Sequence, residues 1–551
     1  MTHQNLTRLL NIVCGLIILM FTACKQNPET FAIHSPIYPT GSETVIYTLN
    51  RIDGDVTTVE LFETISDVNS SGALSGTTAE ALLQSWSSPS FPVTFTKTSG
   101  YGTNKYVTYR FRVVGSERTY NHTISFATSP YPVTDAAVPV YVVGDIDRIL
   151  NCVFVPDEDL SSDMNLFYTH VARNIDSSFH QEDWIRRFRH SYNFFINPLT
   201  GEAGDFNAGT SHVYPTNDDN LSFAQARIIL HSTNKRDFSD GQYVGTEYFN
   251  RGTILHETGH LLYGMADEYG GGAHWQNDQN PNNWNSLAGA QGAASGVGKT
   301  NSDAVQMGSD SWWKLCNGDC MMLRTGRTIF PYDNSCKNRI FQRLIERATD
   351  NWYTEAIKSN LMAMNKISYL KLILTTMFFY TFVSSCTSQS KDPDKKKIQD
   401  ANQTIEEKKG QFNPGFQNNT QSTHIAVKVN YENGVFQLAN QTFRTRPGKL
   451  PYSKNGGGDF IVEIKDASNQ LIGRYFTQNP TTIRVCDEGQ PPAIKVINKG
   501  SFNLLLPSDQ RINSVDFISG GKSIAKLSIP VSRLIDSTKR STRIDTIQRP
   551  E

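Results

Sequence analysis

His256 and His260 stand four residues apart with Glu257 directly after the first, in the run HETGHLLYGMADEY over 256–269. On a helix that spacing puts both imidazoles on one face, one turn apart, where they can grip a single zinc ion. Glu257 then projects beside the metal, and a carboxylate there can take a proton from water that the metal acidifies. Gly264 can end the helix in the left-handed conformation. A chain turned back at that point can bring Asp267 to the metal as a third ligand, although Glu268 beside it offers the same donor chemistry. Three protein ligands and one open position characterise a catalytic zinc site rather than a structural one.

These groups need a helix to carry them and a sheet to carry the helix. Ile254, Leu255, Thr258, Leu261, Leu262 and Met265 recur at spacings of three and four, which predicts an amphipathic helix with one face toward a core and the metal-bearing face toward a cleft. Asn250 reads as its N-cap, and Gly252 as a loosening of its start. Gly259 costs about 1 kcal/mol of helix propensity against Ala, and implies that a backbone or substrate comes close to His260. Upstream, Cys152–Val155 reads as a buried strand. Phe167, Val171, Ile175 and Phe179 read as a helix at four-residue spacing, and Asn193–Ile196 and Arg227–His231 as further strands. Tyr269 reads as a packed loop aromatic. His231 and His274 have no ligand spacing to the motif and read as ordinary surface or cleft residues.

HExxHxxxGxxDEY resembles the zinc signature of the IgA-peptidase (M64) family and of the calcium-activated chloride channel regulator proteases, both metzincin-like zincins. The resemblance implies an α+β zincin catalytic domain with His256, His260 and Asp267 on Zn2+ and Glu257 as catalytic base. Ordinary metzincins carry a third histidine instead and have one residue fewer before the glycine, so the likeness is to the aspartate-ligand branch. It also implies a Met-turn beneath the metal, for which Cys320-Met321-Met322 is the candidate, with either Met321 or Met322 under the imidazoles. In such enzymes the strand before the zinc helix is a sheet edge that pairs with extended polypeptide. Arg227–His231 takes that place or is an interior strand.

Residues 1–24 read as a bacterial lipoprotein signal peptide, with Arg8, an apolar run to Phe21, and Cys24 as the lipidated residue. This predicts a chain in the cell envelope, anchored to a membrane by lipid, on the periplasmic or surface side of the outer membrane. Cys152, Cys316, Cys320 and Cys336 then predict two disulfides in an oxidising compartment, with Cys316 and Cys320 alternatively half of a structural zinc site. A net charge of −1 gives no basis for a nucleic-acid partner.

A second signal-like segment occupies 364–386 and ends at Cys386, a second lipidation candidate, with a polar linker over 387–419. The chain therefore reads as two lipoproteins joined near residue 364. Strand alternation predicts an immunoglobulin-like β-sandwich over 28–130, clearest at Val107, Tyr109, Phe111 and Val113. A further β-rich domain follows over 420–551, with a hairpin at Asn433-Gly434 and no catalytic constellation. The expected architecture is multidomain, a zincin domain over 135–360 flanked by β-sandwiches. The expected function is zinc-dependent hydrolysis of peptide bonds in extracellular proteins or glycoproteins, with immunoglobulin or mucin-like substrates brought into view by the resemblance alone. The alternative is a surface binding protein or adhesin whose zinc site is structural or inactive.

Overall fold

The computed structural model describes residues 29–347 and 423–529, apart from short stretches within each, and shows a multidomain, mostly β-sheet protein with several separate sheets. The segments read as signal peptides at 1–24 and 364–386, with Cys24 and Cys386, and the linker at 387–419 lie outside the described residues. No described helix is long and apolar enough to cross a membrane. The chain divides into two compact units, residues 1–134 with 138–143, and the remainder.

The first unit holds β1 (Glu29–Ser35), β2 (Val45–Asp53), β3 (Val56–Val68), β4 (Leu74–Ser75), β5 (Ala81–Ser87), β6 (Val93–Lys97), β7 (Lys105–Gly115), β8 (Thr119–Ala127) and β9 (Val138–Tyr141). One sheet runs β1-β2-β6; the other runs β4-β3-β7-β8, with β5 also on β3. In β7, Val107, Tyr109, Phe111 and Val113 are fully buried while Arg112 between them is exposed, which is the period-two pattern of a strand covered on one face. Tyr47 of β2 lies 4.4 Å from Tyr109 and 6.4 Å from Phe126 of β8, ring to ring, so the two sheets face each other through aromatics.

The second unit begins with β10 (Leu150–Pro156), α1 (Met164–Asn174), α2 (Asp183–Arg187), β11 (Tyr192–Ile196), β12 (Ala226–His231), β13 (Asp237–Ser239), β14 (Tyr243–Glu247) and α3 (Arg251–Tyr263). The strand order is β11-β10-β12-β14-β13, parallel except for β13. β10, β11 and β12 are buried at every residue, the reason they read as unbroken apolar runs rather than alternating ones. β12 is thus interior, between β10 and β14. Asp163 caps α1 through its carboxylate, and Phe167, Val171, Ile175 and Phe179 are all buried, the last two in a single π-helical turn. A small sheet follows, β15 (Asn283–Trp284), β16 (Val305–Gln306) and β17 (Trp313–Lys314) with α4 (Leu287–Ala294), and then α5 (Asn334–Arg347).

The C-terminal strands are β18 (Thr423–Glu432), β19 (Val435–Pro447), β20 (Phe460–Lys465), β21 (Leu471–Thr477), β22 (Thr482–Cys486), β23 (Ala493–Val496), β24 (Lys499–Pro507), β25 (Ser514–Ser519) and β26 (Lys522–Ser528). They form the sheets β19-β18-β24 and β21-β20-β25-β26 around a core that includes Val429, Phe460 and Phe517. Asn433 and Gly434 both take positive φ, 50° and 82°, as the two-residue hairpin requires. β22 leaves these sheets and pairs antiparallel with β13, Phe238 opposite Val485, with β23 beyond it. The buried Asn503 Nδ2 donates to Asp218 Oδ2 at 2.6 Å. Residues 423–529 therefore share one compact unit with 144–347, where the sequence reads them as separate.

Candidate metal centre

α3 is not amphipathic. Of its thirteen residues only Arg251 and Leu261 are not buried, so the helix is sunk in the unit rather than laid along a cleft wall. It lies across β12, β13 and β14. Its start is not capped by Asn250, whose Nδ2 donates to Glu247 Oε2 at 2.6 Å instead. The first-turn N–H groups of Gly252 and Thr253 are satisfied by the carbonyl of Gly326, at 2.7 and 3.0 Å. That approach explains Gly252, where a Cβ would meet Thr328 O at 2.2 Å. At the other end Gly264 is left-handed, φ 65° and ψ 34°, and its N–H returns to His260 O. The carbonyls of Leu262 and Tyr263 accept from Arg343 Nε and Arg339 Nε of α5.

The reversal at Gly264 brings Asp267 back to the histidines. Asp267 Oδ1 lies 3.2 Å from His256 Nε2 and 3.1 Å from His260 Nε2, and all three residues are buried. A tetrahedral ion with metal–ligand bonds of about 2.0–2.1 Å holds its N and O ligands about 3.3 Å apart, so this triad has the size of one ion. His256 Nδ1 donates to Met321 O and His260 Nδ1 to Met265 O, each at 2.8 Å. Those bonds fix the rings and leave each Nε2 lone pair facing the common point. Asn283 Nδ2 donates to Asp267 O at 2.7 Å, and Asn282 brackets Ala266 by bonding both its N–H and its carbonyl. Burial pulls the His256 imidazole down, but the adjacent carboxylates of Asp267 and Glu257 outweigh it and raise its pKa.

Glu257 is completely buried, and neither of its carboxylate oxygens has a hydrogen-bond partner. Glu268 points elsewhere: its Oε1 accepts from Asn282 Nδ2 at 3.1 Å and lies 3.0 Å from Cys336 Sγ. Asp267 is therefore the carboxylate of the triad. The two methionines divide the supporting role. Met321 contributes its carbonyl to His256, while the Met322 thioether packs on Gly259, where a Cβ would stand 2.9 Å from Sδ. The close neighbour that Gly259 admits is this side chain, not a backbone or a substrate.

Tyr269 stacks on His256 with ring centroids 5.9 Å apart. His274 stacks on Trp312 and stands outside the triad. His231 is fully buried rather than superficial. It groups with Asp237 and Glu247 at the ends of adjacent strands, a second set of metal-competent side chains that spacing along the chain could not reveal. Burial, then the charges of Glu247 and Glu257, push the Asp237 carboxyl well above the usual range.

The expected disulfides are absent: Cys152, Cys316, Cys320 and Cys336 are all thiols and all buried. Cys152 lies in β10, where burial raises its pKa. Cys320 and Cys336 approach to 3.9 Å, well beyond the roughly 2.05 Å of an S–S bond. A hydrogen bond with Cys320 lowers Cys316 to about 7.

No family model and no curated protein matches the chain. Among solved structures it is similar to a cycloisomaltooligosaccharide glucanotransferase of Paenibacillus sp. complexed with cycloisomaltoheptaose, at 13% identity over 24% of this chain and 17% of that one, with a TM-score of 0.14. It is also similar to beta-glucuronidase 2 of Bacteroides uniformis covalently bound to an aziridine, at 11% identity over 26% and 19% of the two chains, with a TM-score of 0.10. The chain thus spans less than a fifth of either structure.

Proposed function

We propose that this chain is a zinc-dependent endopeptidase of the aspartate-ligand, metzincin-like kind, exported and held to a membrane by lipid on Cys24. One observation carries the reading: a fully buried Glu257 whose oxygens have no partner adjoins two imidazoles and a carboxylate spaced for one ion. An unpaired buried carboxylate costs several kcal/mol, and a purely structural metal site has no use for one. The glycine reversal after α3 and the methionine packed on Gly259 support the reading.

His256 Nε2, His260 Nε2 and Asp267 Oδ1 are the atoms that hold zinc. When bound, zinc supplies a Lewis acid for the scissile carbonyl and acidifies the attacking water. Glu257 accepts that water's proton and hands it to the leaving amine. Burial of the whole group excludes bulk solvent and strengthens each of these electrostatic effects. β13 is paired on both sides, with β14 and with β22, so an extended peptide could add beside it as a strand only in place of β22. The purified, zinc-supplied chain should cleave casein, and a chelator should stop it. A chain that holds zinc on these residues and cleaves no protein in a proteome-wide digest overturns the reading.

A further inference from the structure

The dipeptide Asp267-Glu268 faces two ways, and the second way leads to another cluster of donors. The ligand atoms of Glu268, Cys320, Asp333 and Cys336 all lie within 4.8 Å of one another. Cys320 Sγ and Cys336 Sγ are 3.9 Å apart, and Glu268 Oε1 is 3.0 Å from Cys336 Sγ. Zinc–sulfur bonds of about 2.3 Å at a tetrahedral angle hold two sulfurs about 3.8 Å apart, so the thiols have the spacing of co-ligands. Glu268 is fully buried and its Oε2 has no partner, which leaves a carboxylate oxygen in the cluster unexplained by protein contacts. The Asp333 backbone N–H donates to Cys320 Sγ at 3.4 Å, Asn282 Nδ2 stands 3.8 Å from Cys336 Sγ, and Cys336 lies in the first turn of α5, at its positive end.

We propose that Glu268, Cys320, Cys336 and Asp333 form a second, structural site for a zinc-class divalent cation. Four protein donors make a closed site, without the open position of the His256 triad. Its place explains its use. Glu268 follows Asp267 directly, and Cys320 precedes Met321 and Met322, whose groups hold His256 and pack on Gly259. Glu268 N–H already donates to Met322 O at 2.9 Å. An ion bound here ties the Asp267 loop, the methionine turn and the start of α5 to one point, and so holds the triad's supports in register.

The test is metal counting on the full chain, which needs no peptidase activity and so stands apart from the fate of the functional reading. The protein as purified is expected to carry two zinc ions by elemental mass spectrometry. The pair H256A/H260A should carry one, the pair C320S/C336S should carry one, and the four together none. Cobalt substitution guards against a cysteine variant that fails to fold. Wild type and H256A/H260A should both show the near-ultraviolet sulfur-to-cobalt band, which the His256 triad cannot produce. One zinc in wild type, two zincs without the sulfur band, or a peptide map joining Cys320 to Cys336 or to Cys316 by a disulfide would each overturn the proposal.

Discussion

Two glutamates, one in each unit, are buried to nearly the same degree and live in opposite circumstances. Glu63, on β3 of the first unit, is 5% exposed and fully engaged: Tyr47 and Tyr101 donate their hydroxyls to Oε2, and Lys97 Nζ reaches Oε1 at 2.9 Å. Its burial is balanced by partners, and the cost of that balance falls on the tyrosines, whose hydroxyl pKa values are raised by burial and then by neighbouring groups, Glu63 among them. Glu257 is 0% exposed and has no partner on either oxygen. A buried carboxylate with partners belongs to the fold; one without them lowers stability and persists for its chemistry.

The contrast is sharpest when each glutamate is removed. Glu257→Gln keeps the shape and removes the charge, so casein cleavage should fall by about 10²–10⁴-fold while zinc content holds and the melting temperature stays level or rises. A variant that melts well below wild type would assign Glu257 to the fold and break the comparison. Glu63→Ala should do the reverse. It strips the carboxylate from two tyrosines and a lysine and should cost about 3 kcal/mol in chemical denaturation of the first unit. Cleavage per folded molecule should be unchanged.

Acid separates the same two classes of group. Burial drives His34 of β1 down to about 4, against opposing bonds to the carbonyls of Pro36 and Val140. The folded unit therefore holds His34 neutral while the unfolded chain takes up a proton near pH 6.5. Stability is full above that value and declines as pH falls from about 6.5 to 4, by on the order of 2–3 kcal/mol. Denaturation midpoints of wild type and His34→Gln across that window should converge as pH falls. Parallel curves would remove His34 from the account.

Legibility in the sequence followed the reach of each interaction. His256, Glu257 and His260 are bound by one helical turn, so their spacing alone states their geometry, and Gly264 announces the reversal to Asp267. The choice of Asp267 over Glu268 rested on resemblance; in the structure it follows from two Nε2 atoms at 3.1–3.2 Å. Glu63 carries no signal in the sequence because its partners lie 16, 34 and 38 residues away. The cysteines are plain in the sequence but their relation is not, since a separation of 3.9 Å is decided by packing and not by spacing along the chain. β13, three residues long, was too short to register as a strand. β14 (Tyr243–Glu247), broken by Gly245, is not legible either, and without it β12, which pairs with it, could be taken for an edge.

The smallest expected effect asks which of Glu63's partners matters. Lys97 alone bonds Oε1, and its ammonium also stands 5.0 Å from the centre of the Tyr101 ring. Its side chain is 21% exposed, however, so water can take the place that Nζ leaves, whereas the two tyrosine hydroxyls on Oε2 are buried. Lys97→Met keeps the apolar stem and removes the charge. It should cost about 1 kcal/mol, a value that shrinks in high salt as expected for a partly solvated ion pair. A loss as large as that of Glu63→Ala would mean that the lysine carries the balance alone, and that the tyrosines merely surround a buried ion pair.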